Sequence, residues 1–135
     1  MKIAVVTEDG ATISQHFGRA PYYLVVTVED GKAVAREMRD KLGHAHFATE
    51  HHGEESHGSH AGGHGFDPAA QSRHAQMIAA IEDCEMLLAR GMGAGAYSSI
   101  ERAGIRPILT DITEIDQAVQ AVISGDIVDH PEKLH

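Results

Sequence analysis

The chain has 135 residues, 11 of them histidine, and a formal net charge of −9 at pH 7. The length suits one domain over residues 1–135, and the acidic charge excludes a typical nucleic-acid-binding protein, whose affinity depends on Lys and Arg against phosphates. No stretch approaches the roughly 20 apolar residues of a membrane span, and the first apolar run does not resemble a signal peptide, so we expect a cytoplasmic protein.

The first half of the chain predicts three strands. Residues 2–7 form a β-branched run typical of a strand buried on both faces, and residues 22–28 form a second. Asp30-Gly31 predicts a type I′ hairpin turn. A weaker third strand at about residues 33–38 is expected at the sheet edge.

The second half alternates helices and strands. We predict a helix around residues 74–81, a strand at 85–90, a glycine-rich turn at 91–95, a helix at 96–103, a strand at 106–110 and a helix at 113–124. Gly104 and Gly125 are expected to end helices, and Thr113 with Asp116 suggests a capping box. The last ten residues look loose. The order β-β-β-α-β-α-β-α indicates an α/β fold on a mixed five-stranded sheet, with right-handed crossovers in its parallel half.

Residues 40–72 show no periodicity and are rich in Gly, Ser, Glu and His, so we predict a flexible loop after the third strand. Neutral imidazole is a common ligand for Zn, Ni, Cu and Fe, so this composition favours transition-metal binding. The alternative is a low-complexity linker in which histidine is only tolerated. The loop contains seven of the eleven histidines: His44, His46, His51, His52, His57, His60 and His64.

A second candidate site follows the first strand, in the segment Ser14-Gln15-His16-Phe17-Gly18-Arg19. His16 offers a metal ligand or proton donor beside the fixed cation of Arg19. The alternative is that His16 bonds to a nearby backbone carbonyl while Phe17 fills a gap in the core.

A third candidate is the turn containing Gly91, Gly93 and Gly95, between a strand and a helix. Backbone amides in such a turn can bind an anion. Close helix–sheet packing explains the glycines equally well, and the match to a dinucleotide-binding pattern is weak because the motif comes so late in the chain. The lone Cys84 is expected to be a small core residue, with a ligand or redox role as the alternative.

Three stretches carry a resemblance to a known family: MKIAVVTEDG at the start, ISQHFGRAPYYLVV from Ile13, and DCEMLLARGMGAGAYSSIERAGIRPILTD from Asp83. Together they resemble the dinitrogenase iron–molybdenum cofactor family, which includes NifX, the NafY core domain and the C-terminal part of NifB. The resemblance implies a ribonuclease-H-like fold. It also implies a carrier of an iron–molybdenum cofactor or iron–sulfur precursor cluster rather than an enzyme, with His16 on the motif histidine.

The predicted topology brings the candidate sites together. If the first three strands form a meander and the fourth lies parallel to the first, three segments emerge at one sheet edge: the His16 loop, the start of the His-rich loop and the turn at 91–95. A metal cluster there would meet His16 as ligand, Arg19 as counter-charge and the glycine-turn amides as donors. The family resemblance further implies nitrogenase-assembly or other cofactor-receiving proteins as partners.

The sequence leaves two other functions open. A histidine-rich buffer or sensor for Zn, Ni, Cu or Fe would use the same fold but depend on the loop. A two-metal nuclease is suggested by the fold alone, and the strands lack the carboxylates that such chemistry needs.

Overall fold

The computed structural model describes residues 1–41 and 68–135, and the side chains of residues 1–41 and 74–135. The described strands are β1 (Lys2–Thr7), β2 (Tyr22–Glu29), β3 (Lys32–Asp40), β4 (Met86–Ala89) and β5 (Arg106–Leu109). The described helices are α1 (Pro68–Ala79), α2 (Ala94–Arg102) and α3 (Ile115–Ser124), with short 3-10 turns at Phe17–Arg19 and Pro131–Lys133.

The five strands form one mixed sheet in the order β3-β2-β1-β4-β5. β2 runs antiparallel to both of its neighbours, whereas β1, β4 and β5 are parallel to one another. The expected α/β fold with a mixed five-stranded sheet is therefore confirmed. Apolar and polar residues do not alternate in β1 because both faces of the strand are covered. Ile3, Ala4, Val5 and Val6 are all fully buried.

The hairpin between β2 and β3 has the predicted turn. Both central residues have positive φ, 54° at Asp30 and 75° at Gly31, as a type I′ turn requires. β3 lies at the sheet edge as expected but extends to Asp40, two residues further than predicted.

Helices cover both faces of the sheet. Arg36 of β3 pairs with Asp116 of α3, whereas Arg39, on the opposite face, reaches Asp83 just before β4. α3 therefore covers one face, and α1 covers the other together with α2, which packs against it. The largest side chains of the core include Tyr23, Ile81, Leu87 and Ile100. No helix in the described ranges is long and apolar enough to cross a membrane.

Some predicted boundaries differ from the structure. α1 begins at Pro68, inside the range predicted as loop, and proline is well suited to the first position of a helix. α2 begins at Ala94, inside the predicted glycine turn. The capping box at Thr113 is wrong. The residue before α3 is Glu114, which makes no side-chain cap, because the backbone of this segment pairs with residues 11–13 instead.

The C-terminal segment is ordered, contrary to expectation. The Leu109 amide donates to Oδ1 of Asp129 at 2.9 Å, and the His130 amide donates to the Leu109 carbonyl at 2.7 Å. Leu134 then forms a parallel bridge with Met92. The segment thus covers the outer edge of β5 and returns to the turn after β4.

Candidate functional site

The loop after β1 and the turn after β4 are joined at one edge of the sheet. The Arg90 amide donates to the Ser14 carbonyl at 3.1 Å, and the Phe17 amide donates to the Gly91 carbonyl at 3.0 Å. β3 ends at the same edge, because Asp40 pairs with Tyr22, the partner of Thr7. The predicted convergence of the His16 loop, the glycine turn and the end of β3, where the predicted loop at 40–72 starts, is therefore present.

His16 lies at the tip of this loop, just before the 3-10 turn Phe17–Arg19. Its carbonyl accepts from the amides of Arg19 and Ala20, both at 3.2 Å, whereas Phe17 is buried in the core. The His16 ring is exposed and makes no hydrogen bond to any residue in the described part of the chain. The backbone and Phe17 therefore hold the loop, and the imidazole is not needed to brace it.

A second imidazole lies beside it. The ring centroids of His16 and His135 are 6.0 Å apart, tilted by 38°. His135 is held by its backbone, which donates to the Met92 carbonyl at 2.9 Å and accepts from the Ala94 amide at 3.0 Å. Sequence analysis missed this residue because nothing in the C-terminal sequence signals its pairing with the turn after β4.

Gly91 makes the close approach possible. A Cβ built on Gly91 would lie 2.5 Å from the Gln15 carbonyl oxygen and 3.4 Å from Cε1 of His135. No side chain fits there without moving backbone. The close approach at Gly91 is between two loops, not the helix–sheet contact expected from the sequence.

Arg19 lines a depression of about 330 Å³ together with His16, and Glu8 and Asp9 form its other wall. Oδ1 of Asp9 accepts from the amides of Ala11 and Thr12, both at 2.9 Å, and these bonds lower the pKa of its carboxyl to about 2. The depression therefore combines an imidazole and a guanidinium with two carboxylates, rather than being uniformly cationic.

Gly93 and Gly95 line a different depression, of about 280 Å³, on the other side of the 3-10 turn. Gly93 is the residue before α2, and the amides of Gly95 and Ala96 have no acceptor among the residues that the structure describes. These two amides can bind an anion. The structure thus places Arg19 and the glycine amides in adjacent depressions, separated by residues 17–18, instead of in one pocket.

Two further cationic residues lie under the site, and no sequence pattern predicted either of them. Lys41 is 2 % exposed, its Nζ donates to the Phe17 carbonyl, and it lies 4.2 Å from the centroid of the Phe17 ring. Burial lowers the pKa of Lys41 to about 8. Arg90 follows β4, and its buried Nε has no hydrogen-bond partner in the described residues.

Cys84 is a core residue at the opposite edge of the sheet. It is 5 % exposed and precedes Glu85, whose amide donates to the Lys2 carbonyl at the start of β1. Burial is the main cause that raises the pKa of its thiol to about 12. The thiolate that would bind a metal is therefore disfavoured, and Cys84 is remote from His16.

The seven loop histidines (His44, His46, His51, His52, His57, His60 and His64) lie outside the described residues, so their proposed role as metal ligands stays a prediction. Within residues 1–41 and 68–135, no group of three or more His, Cys, Asp or Glu side chains is arranged to hold a metal ion. The described part of the site offers a pair of imidazoles at most.

Comparison with solved structures supports the fold. The protein PH0822 is 18 % identical, with 96 % of each chain covered and a TM-score of 0.66. MJ0327 from Methanocaldococcus jannaschii is 13 % identical, with 96 % of this chain and 94 % of that one covered and a TM-score of 0.61. The apo form of the orange protein from Desulfovibrio gigas is 23 % identical, with coverage of 96 % and 92 % and a TM-score of 0.61.

Comparison with curated protein sequences gives no significant match. The family described as dinitrogenase iron-molybdenum cofactor matches residues 1–125, which include all five strands, all three helices and the His16 loop. The chain therefore belongs to the dinitrogenase iron-molybdenum cofactor family.

Proposed function

We propose that this protein is a non-catalytic carrier or insertion factor for an iron–molybdenum or iron–sulfur cofactor, or for its precursor cluster. His16 is the protein ligand, and His135 is a second imidazole beside it. The observation that carries the proposal is the exposed His16–His135 pair, 6.0 Å apart between ring centroids, whose segments are held at the sheet edge by backbone hydrogen bonds and by the buried Phe17.

The separation of the two rings suits a cluster better than a single ion. A metal-bound imidazole has its centroid about 3.2 Å from the ion, so two rings on one tetrahedral ion have centroids about 5.2 Å apart. The observed 6.0 Å is larger, whereas a cluster with several metal atoms could accept the two rings on neighbouring atoms. Neither ring has to break a hydrogen bond to another described residue.

The rest of the site suits a preformed, anionic cargo. Iron–sulfur clusters are usually held by four cysteines, whereas this chain has only Cys84, buried at the other edge. The cluster must therefore bring most of its own ligands. Arg19 and the open amides of Gly95 and Ala96 flank the histidine pair and supply positive charge and donors. Few protein ligands make for loose binding, as a carrier that passes its cargo to a cofactor-receiving protein needs.

Anaerobic reconstitution with iron, sulfide and molybdate tests the proposal. We expect wild-type protein to gain visible absorbance that survives desalting, and His16→Ala to lose at least nine-tenths of it. His135→Ala should lose a smaller but clear part. The matched control is His130→Ala, because His130 is also near the C-terminus but is bonded through Nδ1 to Glu132 at 2.8 Å.

The melting temperature separates ligation from bracing. A bracing histidine would destabilise the protein by about 1–2 kcal/mol when replaced, the effect of a lost buried hydrogen bond, and leave cluster uptake intact. Replacing a ligand histidine instead leaves the melting temperature of the empty protein within a few degrees of wild type and abolishes cluster uptake. Equal uptake by His16→Ala and wild type would refute the role given to His16.

A histidine-rich buffer or sensor for divalent ions such as Zn, Ni or Fe is the second candidate, favoured by the seven histidines within residues 44–64. Deletion of residues 43–66 discriminates the two functions. Under the buffer hypothesis nearly all metal binding disappears. Under the carrier hypothesis cluster uptake persists at the sheet edge that carries His16 and His135, the His16 edge.

A further inference from the structure

The basic side chains near the start of β4 are paired with carboxylates. The guanidinium of Arg39 lies 2.7 Å from Asp83 and 3.2 Å from Glu37. Nζ of Lys2 lies 3.0 Å from the same Asp83. Only 18 % of the Arg39 side chain is exposed, and its charge is compensated by two carboxylates.

Lys41 and Arg90 follow β3 and β4 at the His16 edge, and neither has such a partner. No ion pair joins either residue to a carboxylate among the side chains of residues 1–41 and 74–135. Lys41 is buried and its Nζ donates to the Phe17 carbonyl, whereas the buried Nε of Arg90 has no described hydrogen-bond partner. Taking a charge out of water without a partner destabilises a fold, and carboxylates are not scarce in a chain with 20 acidic and 11 basic residues. These two residues are therefore candidates for holding a ligand of opposite charge.

Both residues contact the segment that presents His16. The Arg90 amide donates to the Ser14 carbonyl at 3.1 Å, at one end of the segment. At the other end, Nζ of Lys41 donates to the Phe17 carbonyl and lies 4.2 Å from the centroid of the Phe17 ring. Two uncompensated positive charges therefore lie close to the exposed imidazole.

The carboxylates at the same edge leave this charge uncompensated. Glu8 and Asp9 line the depression beside His16, but no ion pair in the described residues joins them to Lys41 or Arg90. Oδ1 of Asp9 instead accepts backbone amides of its own loop. The positive charge of Lys41 and Arg90 is therefore available to attract an anionic ligand.

We propose that Lys41 and Arg90 are the counter-charges of the ligand bound at the His16 edge, and that this ligand carries at least two negative charges. Both residues act mainly through their charge, because Lys41 and the Nε of Arg90 are too deeply buried to touch a ligand at the surface. Attraction between charges is stronger in the protein interior than in water. The inference rests on the proposed carrier function, and it makes the cargo a multiply charged anionic cluster rather than a free divalent metal cation.

Two tetrahedral anions of similar size and different charge give the test. Tungstate carries two negative charges at pH 7.5 and perrhenate carries one, and equilibrium dialysis with elemental analysis measures the binding of each to the metal-free protein. Wild type should bind tungstate about tenfold or more tightly than perrhenate at the same ionic strength. Lys41→Met and Arg90→Met should each raise the dissociation constant for tungstate by about fivefold or more.

Arg106→Met is the matched control. Arg106 is exposed and also lacks a described ion pair, but it starts β5, at the other end of the strands from His16. Its replacement removes the same charge and should leave tungstate binding unchanged. Absence of tungstate binding by wild type, equal binding of the two anions, or equal weakening by Arg106→Met overturns the inference. Unchanged binding by Lys41→Met or by Arg90→Met overturns the role given to that residue.

Wild-type protein alone provides a second test, which applies even if a substitution prevents folding. Burial lowers the pKa of Lys41 to about 8, so the amine loses its charge as the pH rises from 7.5 to 9.5. The affinity for tungstate should therefore fall by about threefold or more over this range. A constant affinity overturns the role of Lys41.

Other groups near Lys41 do not produce this change. Arg, Asp and His side chains change charge little between pH 7.5 and 9.5, which covers Arg19, Asp40 and His16 on the neighbouring elements. Burial raises the pKa of the Tyr23 phenol, which lies on β2 beside Phe17. No iron or sulfide is present in either measurement, so the result for tungstate is separate from the result for cluster uptake.

Discussion

Gly91 is the residue at which the two loops of the candidate site come closest. Its replacement by Ala would place a Cβ 2.5 Å from the Gln15 carbonyl oxygen, so the backbone of the His16 loop or of the turn must move. We expect Gly91→Ala to destabilise the protein by about 1–3 kcal/mol, as for overpacking elsewhere. Denaturant unfolding measures the effect.

Gly18→Ala is the matched control for this prediction. Gly18 is in the same loop, but an added Cβ there meets nothing within 4 Å. Its effect should stay within about 0.5 kcal/mol, as for other surface substitutions. Equal stability of the two variants would mean that the loops are not held at the distance described.

Lys41 gives the site a pH-dependent contribution to stability. Burial lowers the pKa of Lys41 from 10.5 to about 8 in the folded protein, so the unfolded chain binds more protons between these values. The stability of wild type relative to Lys41→Met should therefore rise as pH increases from 8 to 10.5, by up to about 3 kcal/mol.

Denaturant unfolding at several pH values measures this difference, with Lys133→Met as the control for a lysine outside the core. The free energy of unfolding of Lys133→Met should change with pH in the same way as that of wild type. If the difference in unfolding free energy between wild type and Lys41→Met does not change with pH, the Lys41 amine is solvated in the folded state.

At the scale of elements, the C-terminal segment stabilises the edge of β5. Asp129 accepts the Leu109 amide, which would otherwise be a buried donor without a partner. Asp129→Ala should cost about 1–3 kcal/mol, the penalty for leaving such a donor unsatisfied. The exposed Asp126 is a nearby carboxylate for the control variant Asp126→Ala, and calorimetric melting should separate the two. Similar melting temperatures would argue against a docked segment.

Local patterns in the sequence were sufficient to predict most of the strands, turns and helix ends. The unbroken apolar run of β1, the Asp30-Gly31 turn and the helix-ending glycines at 104 and 125 each depend on neighbouring residues only, and each was predicted correctly. The convergence of the His16 loop with the glycine turn also followed, because strand direction alone places both at one edge.

The features that the sequence did not reveal depend on contacts between distant residues. Thr113 and Asp116 match a capping pattern, but the backbone at 113–114 pairs with residues 12–13 and Asp116 pairs with Arg36. His135 joins the site only because the C-terminal segment pairs with Met92. Arg19 and the glycine amides occupy separate depressions because Phe17, between them, is drawn into the core.

At the scale of the whole molecule, the charge of −9 and the histidines of residues 44–64 favour the gathering of cations. We expect Cu, Ni and Zn to bind more tightly than Mn. The neutral fraction of an imidazole with pKa near 6.5 falls about tenfold between pH 7.5 and 5.5, so binding should weaken sharply over that range. Calorimetry that gave equal affinity at both pH values would count against histidine ligation.

Replacing His57, His60 and His64 with Ala should lower the number of metal ions bound but leave the melting temperature nearly unchanged. The reason is that few large apolar residues lie near these positions in the sequence, so we expect their replacement to change little in the core. A large drop in melting temperature would show that these histidines also support the fold.

Elemental analysis after anaerobic reconstitution tests the carrier function most directly. Iron and molybdenum per chain are measured in three proteins: wild type, a variant with all seven loop histidines replaced by Ala, and the double variant His16→Ala/His135→Ala. A carrier that uses the His16 edge retains its cluster in the second protein and loses it in the third. Retention in the third and loss in the second would contradict the account and assign metal binding to the loop.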